Sequence, residues 1–256
     1  MSATIICPYV FEEEISALKE AYWELPFVFE RDTHKIGSDL MFERMWNNCN
    51  TDIIIFHADM RHYEDDGETL WYEELCSYAE KYPEAGLLGM KLLYPAKNDA
   101  GNHWIESAGG RFDENGNPEH FGSGLDMNTQ QFWKEPEQDA GQYDHVREVA
   151  WTTFGGVYIR REVINQVGNF DRSFEWTYNR DVDYCLSARE KGWKIYQVPT
   201  RLLHWQSRDN RRVATQGNRD AEARNKDRVL TKWADSPLWK TLNERVDHRE
   251  DGEFDV

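Results

Sequence analysis

Long apolar runs are missing from this 256-residue chain. No stretch approaches the roughly 20 consecutive apolar residues that a membrane-crossing helix needs, so no membrane span is expected. The N-terminus, MSATIICPYV, has neither a basic leader nor a long apolar core, and a cytoplasmic location is the expectation. Cysteine is scarce as well. Cys7, Cys49, Cys76 and Cys185 lie far apart with no C-x-x-C pair, which argues for free buried thiols and against a disulfide framework. Positive charge is the third shortage: 30 Lys and Arg against 47 Asp and Glu leave a formal charge of −17. Such a surface repels a phosphate backbone, so nucleic acid is not an expected partner, whereas a negative pocket for a divalent cation fits it.

What is present reads as one α/β domain. Hydrophobic residues make up 39% and charged residues 30%, with no internal repeat and no low-complexity tract. ATIIC at 3–7 predicts a short buried strand ended by Pro8. Phe11 to Glu24 predicts a helix, because Ile15, Leu18, Tyr22 and Leu25 recur at the 3.6-residue period and Glu12, Glu13 and Glu14 suit its first turn. The alternation continues with a strand at Phe27–Glu30, a helix at Ser38–Asn48, a strand at Asp52–His57, a helix at Glu68–Tyr82 and a strand at Gly86–Leu93. DIIIFH is apolar on both faces, the mark of a central parallel strand. This order predicts a Rossmann-like, mostly parallel sheet flanked by helices.

From Trp104 the pattern changes. Asn115-Gly116 signals a hairpin and an antiparallel insertion, 125–147 is polar and irregular, and Val149–Arg160 reads as a strand broken at Gly155-Gly156. A helix at Asp181–Lys191 and strands at Lys194–Val198 and Leu202–Trp205 close the domain at 207. Residues 1–95 form its first half and 96–207 its second. Residues 208–256 read as a charged helical tail with a disordered end, anchored by Val229, Leu230, Trp233, Leu238 and Trp239.

Four constellations carry candidate chemistry. His57-Ala58-Asp59 follows the apolar strand; side-chain alternation turns His57 and Asp59 to one side of its carboxyl end, the edge where open α/β sheets bind ligands. A carboxylate there suits Mg²⁺ or Mn²⁺, and the imidazole favours Mn²⁺; the alternative is an Asp that caps the next loop. Asn179-Arg180-Asp181-Val182-Asp183 opens a helix. At about 100° per residue the two aspartates lie about 200° apart, so one caps the helix and the other is free to act as a general base. His204, at a strand end, can complete a metal shell or simply be hydrogen-bonded. Phe154-Gly155-Gly156-Val157 signals either close backbone approach to a ligand or a bulge. Trp151 and Trp176 are candidate stacking platforms for a ring-bearing ligand.

Read in order, GLLGMKLLYP, WIESAGGRFDENG, WTTFGGVYIRREVINQVGNFDRSF and DVDYCLSAREKGWKIYQVPTRLLHW resemble family 2 glycosyltransferases, the rhamnosyltransferase-like group, from Gly86 to Trp205. The resemblance implies a GT-A fold, with 1–95 as the nucleotide-binding half and 96–207 as the acceptor and catalytic half, and an inverting displacement from a nucleotide-diphosphate sugar donor to a hydroxyl of a glycan or lipid-linked carrier. It implies Asp181 as the base, with Asp183 beside it. Asp59 corresponds to the last aspartate of the family's D-x-D metal motif, and His204 to its downstream metal-binding histidine. The chain departs from the family at His57, where Asp or Asn is usual, and at Arg180, which replaces a glutamate and is expected to lower the proton affinity of Asp181. The family's V-D-x-G-S base-reading turn has no clear counterpart. Cys7-Pro8-Tyr9 matches the end of the family's first strand, so Pro8 and Tyr9 are expected to bind donor, with Glu30 or Asp32 standing in for the missing aspartate. Two other readings stay open: a non-catalytic GT-A-like module binding carbohydrate or a partner, and a transferase acting on modified DNA bases.

Overall fold

The computed structural model describes residues 2–63, 67–113, 116–123, 125–126, 131–132, 136–175, 179–205 and 216–236. Its first half alternates as the periodicity predicts: β1 (Thr4–Tyr9), α1 (Glu12–Ala21), β2 (Phe27–Arg31), α2 (Ser38–Asn47), β3 (Ile53–Ile55), a short β4 (Met60–His62), α3 (Leu70–Lys81) and β5 (Ala85–Lys97). The strands β6 (His103–Ser107), β7 (Gly110–Phe112), β8 (Pro118–His120), β9 (Leu125–Asp126), β10 (Gln131–Phe132), β11 (Arg147–Glu148) and β12 (Val157–Ile159) follow. The chain continues through α4 (Arg161–Val167), α5 (Arg180–Glu190), β13 (Lys194–His204) and α6 (Gln216–Trp233).

The main sheet runs β11-β13-β5-β12-β3-β1-β2, with β4 added to β13 and β6 to β5. β1 is parallel to β2 and β3, and β13 is parallel to β5; β12 lies antiparallel between β3 and β5. The expected antiparallel insertion is the β7–β8 pair, while Glu114 and Asn115 of its turn lie outside the described residues. Helices cover both faces. Along β3, Ile53 and Ile55 face a core shared with Phe42, Trp46, Val163, Tyr184 and Trp233, whereas Ile54 faces one shared with Ile15, Leu18, Trp71 and Leu75. All three isoleucines are fully buried, which explains why this strand is apolar on both faces. Each such burial stabilises the fold by about 1.5–3 kcal/mol.

Three expectations change. The strands expected at 194–198 and 202–205 are one strand, β13, that passes Pro199 through a register shift between Val198 and Arg201. Proline has no N–H to give the ladder, so an irregularity at this point is its physical signature. The strand expected over Val149–Arg160 shrinks to Val157–Ile159; just before it the Gly156 carbonyl still accepts from Met90 N–H (3.0 Å), and both glycines pack closely on the sheet: a Cβ on Gly155 would lie 2.9 Å from Leu92 Cδ1, and one on Gly156 3.2 Å from Leu202 Cδ1. The glycines therefore let this loop close onto the sheet. β4 was not expected from the sequence, yet it pairs His204 with Met60.

Candidate active site

The carboxyl ends of β3 and β13 meet where β4 pairs with β13. The chain leaves β3 at Ile55, and a turn closed by Met60 N–H donating to the His57 carbonyl (3.1 Å) redirects it into β4. His57 and Asp59 thus reach one neighbourhood through a turn and not through strand alternation. Trp205 N–H donates to the Asp59 carbonyl (2.9 Å) and ties the end of β13 to this turn.

His204 Nε2 lies 3.4 Å from Asp59 Oδ1, and its Nδ1 lies 2.9 Å from both carboxylate oxygens of Glu106. All three side chains are largely enclosed, at 13%, 18% and 12% exposed for His204, Asp59 and Glu106. Burial alone would lower the basicity of His204, but Glu106 and Asp59 outweigh it and lift the imidazole to about 10. The His57 ring centroid is 6.3 Å from that of His204 and packs edge-on to Phe42 at 5.1 Å. Burial pushes the His57 pKa down, against the pull of the Asp59 charge.

Phe154 connects this group to α5: His57 and Asp181 both engage its backbone. Asn179, in the left-handed conformation that asparagine tolerates, starts α5, and Asp181 sits in the first turn accepting from Val182 N–H at 2.9 Å. Burial, joined by the charge of nearby Asp39, raises Asp181 to about 7 despite the backbone N–H groups it accepts from. Arg180 does not weaken it. The guanidinium turns away to Asp39 (3.0 Å) and to the Phe174 carbonyl (2.6 Å), so the expected drop in Asp181 basicity is overturned. Asp39 itself is lifted to about 6 by burial, against the attraction of Arg180.

The remaining candidates separate. Asp183 is 4% exposed and faces α6, accepting from Lys232 Nζ (3.0 Å) and Trp233 Nε1 (2.9 Å); it anchors a helix and does not join Asp181. Trp151 is 2% exposed, donates to the Arg111 carbonyl (3.0 Å) and lies against Gly110, so it offers no face to a sugar ring. Trp176 lies outside the described residues, as do Leu238 and Trp239. Gly155 and Gly156 serve packing, as above. Pro8 and Tyr9 end β1 opposite Glu30 and Arg31 of β2. The Glu30 carboxylate is taken by Arg44, and both oxygens of Asp32 are taken by the N–H groups of Ile36 (3.0 Å) and Gly37 (2.9 Å). These bonds tie the two acids to the approach to α2.

Two participants escaped the sequence reading, Glu106 and Asp39. Glu106 lies inside the quoted WIESAGG segment, where an acid on a short, otherwise half-buried strand was the available signal. Asp39 looks like an ordinary acidic residue in a helix's first turn, and only the fold shows what it faces.

The chain aligns with the crystal structure of GalNAc-T7 with UDP, GalNAc and Mn²⁺ at a TM-score of 0.59, with 13% identity over 94% of this chain and 49% of that one. The chain has a GT-A fold. In sequence, this GT-A chain is 29% identical over 149 residues to the O-antigen biosynthesis protein RfbC of Myxococcus xanthus, covering 55% of this chain and 10% of that protein. The chain thus spans about half of one of these proteins and a tenth of the other. A197 from STIV aligns at a TM-score of 0.46 and 10% identity over 81% of this chain and 87% of that one, a likeness from which nothing is drawn. No protein-family model matches. The resemblance to family 2-like glycosyltransferases agrees with RfbC and with the GT-A neighbour. Among the described residues, no helix is long and apolar enough to cross a membrane.

The donor set can be tested against a divalent cation. A carboxylate oxygen and an imidazole nitrogen face one another at 3.4 Å where the end of β13 meets the turn after β3, which is the right chemistry for Mn²⁺ or Mg²⁺. No group of three His, Cys, Asp or Glu side chains among the described residues closes into a full shell. The residues fit an ion held by two protein ligands whose remaining positions come from substrate or water, a common arrangement for magnesium-type sites.

Proposed function

We propose that this chain is an inverting, metal-dependent glycosyltransferase that moves a sugar from a nucleotide-diphosphate donor to a hydroxyl on a glycan or lipid-linked carrier. The observation that carries this reading is the convergence of Asp59, His204 and His57 with Asp181 around the backbone of Phe154. Ligand crevices lie at this carboxyl edge in open α/β sheets. Asp181 removes the proton of the acceptor hydroxyl; held near 7 by burial and by Asp39, it matches the range in which a general base works best. Asp59 and His204 hold the ion, with His57 beside them. When bound, the ion supplies charge neutralisation for the leaving diphosphate. Pro8 and Tyr9, at the end of β1, take the donor side. GalNAc-T7, which shares the fold, was crystallised with UDP and Mn²⁺, and that supports a nucleotide donor here.

Thermal stabilisation by UDP, GDP, CDP and dTDP, with and without Mn²⁺, tests the donor half; a shift for one diphosphate that needs metal and disappears in Asp59→Ala is expected. Absence of any shift would sink it. In that case the non-catalytic reading takes over, favoured by His57 standing where the family usually has Asp or Asn.

A further inference from the structure

The edge of the sheet holds a device that the proposed chemistry has not yet used. In the pairing of β6 with β5, Ser107 lies opposite Leu92 and Ile105 opposite Leu93. Two steps along β6 therefore match one step along β5, and Glu106 is the extra residue of a β-bulge. Bulges bend a strand and re-aim a side chain, and they recur beside active sites. Leu93 is also paired with Leu203 on its other side, so the bulge sits two strands from His204 and within reach of it. The outcome is the bidentate approach described above, with both Glu106 oxygens 2.9 Å from His204 Nδ1. The same carboxylate acts electrostatically on His57 and on His120.

We propose that Glu106 is a positioning residue for the ion site: by accepting the Nδ1 hydrogen of His204 from a bulge in β6, it orients the ring so that Nε2 faces Asp59 and is available to a divalent cation. The inference rests on the reading of Asp59 and His204 as ion ligands and adds what holds one of them in place. A histidine ligand whose other nitrogen donates to a carboxylate has its orientation fixed and its donor strength raised. Side-chain rotation is then no longer left to chance: a free His204 ring would sample orientations in which Nε2 points away from Asp59.

The test is titration of the full chain with Mn²⁺ alone, read by the electron paramagnetic resonance signal of free Mn²⁺, for the wild type, Asp59→Ala, Glu106→Ala and Glu106→Gln. Glu106→Ala is expected to weaken Mn²⁺ binding about 10- to 100-fold. Glu106→Gln, whose amide oxygen still accepts the Nδ1 hydrogen but carries no charge, should fall between that variant and the wild type, a graded rescue that a purely structural role would not give. Unchanged affinity in folded Glu106→Ala, with binding lost in Asp59→Ala, overturns the role of Glu106 and leaves the ion site standing. No Mn²⁺ binding by the wild type overturns both. Should Glu106→Ala fail to fold, Glu106→Gln decides: about threefold or more weaker binding supports the proposal, and wild-type affinity overturns it.

Discussion

Asp181 and Asp183 stand two residues apart on one helix and live in different chemistry. Asp181 looks toward the carboxyl edge of the sheet, with the backbone of Phe154 and the charge of Asp39 for company. Asp183 is buried against α6 and holds Lys232 and Trp233. Both carboxyls are pushed up by burial, but Asp183 is partly compensated by a cation and Asp181 by backbone N–H groups alone. The difference teaches that burial with a partner makes an anchor, whereas burial without one makes a proton acceptor tuned toward neutrality.

The comparison can be broken most forcefully at Asp181. Replacing it by Asn is expected to slow sugar transfer by about 10²- to 10⁴-fold while leaving diphosphate binding intact; transfer rates alongside nucleotide affinity check this, and unchanged turnover would end the base assignment. Asp183→Ala should act on stability instead. It strands the Trp233 N–H and one partner of Lys232, and a loss of about 2–4 kcal/mol is expected in urea unfolding, with transfer per folded molecule changing less than tenfold. Were Asp183→Ala to abolish transfer at full stability, the division of labour would be wrong.

Acidity sharpens the same contrast. Burial raises the Asp181 carboxyl from the ordinary carboxylate range to about 7 in the folded protein, so its contribution to stability is complete below the unfolded value and is lost as pH rises through about 7. Asp181→Asn should therefore gain stability over the wild type progressively between about pH 4 and 7 and keep that gain above it. In the wild type, transfer should rise with pH through the same window, since only the ionised carboxyl accepts a proton. Asp39→Asn removes a charge that raises Asp181 and should move this ascending limb to lower pH in a pH–rate profile. The smallest effect is expected at Trp151→Phe, which deletes the bond to the Arg111 carbonyl: about 1 kcal/mol of stability, by thermal or urea unfolding, with no change in acceptor KM.

The elements were legible where periodicity was strong. β1, β2, β3 and β5 and the helices between them follow from apolar residues at spacings of two or 3.6, and α5 starts within a residue of its expected position. The helical tail is present as α6, with Val229 and Trp233 buried as its pattern suggests. Legibility failed where a partner distant in sequence decides the outcome. Arg180 was read against its neighbour Asp181, yet its ion pair is with Asp39, 141 positions away. Trp151 is a candidate stacking platform by sequence alone, whereas a glycine on a facing strand makes room for its indole and buries it. The break of β13 was placed at Pro199, but neighbouring strands on both sides keep the chain extended through it.

By itself the sequence determined the α/β alternation, the apolar strand that leads to His57 and Asp59, and the opposition of Asp181 and Asp183 on their helix, since these depend on periods of two and 3.6 along the chain. Only the tertiary structure decided that the turn after β3 meets the end of β13, that a bulge in β6 carries Glu106 to His204, and that Arg180 leaves Asp181 for Asp39. Those outcomes depend on which strands pair and in what register. Register is set by the packing of both faces of the sheet at once, a property of the assembled core that no local stretch of sequence contains.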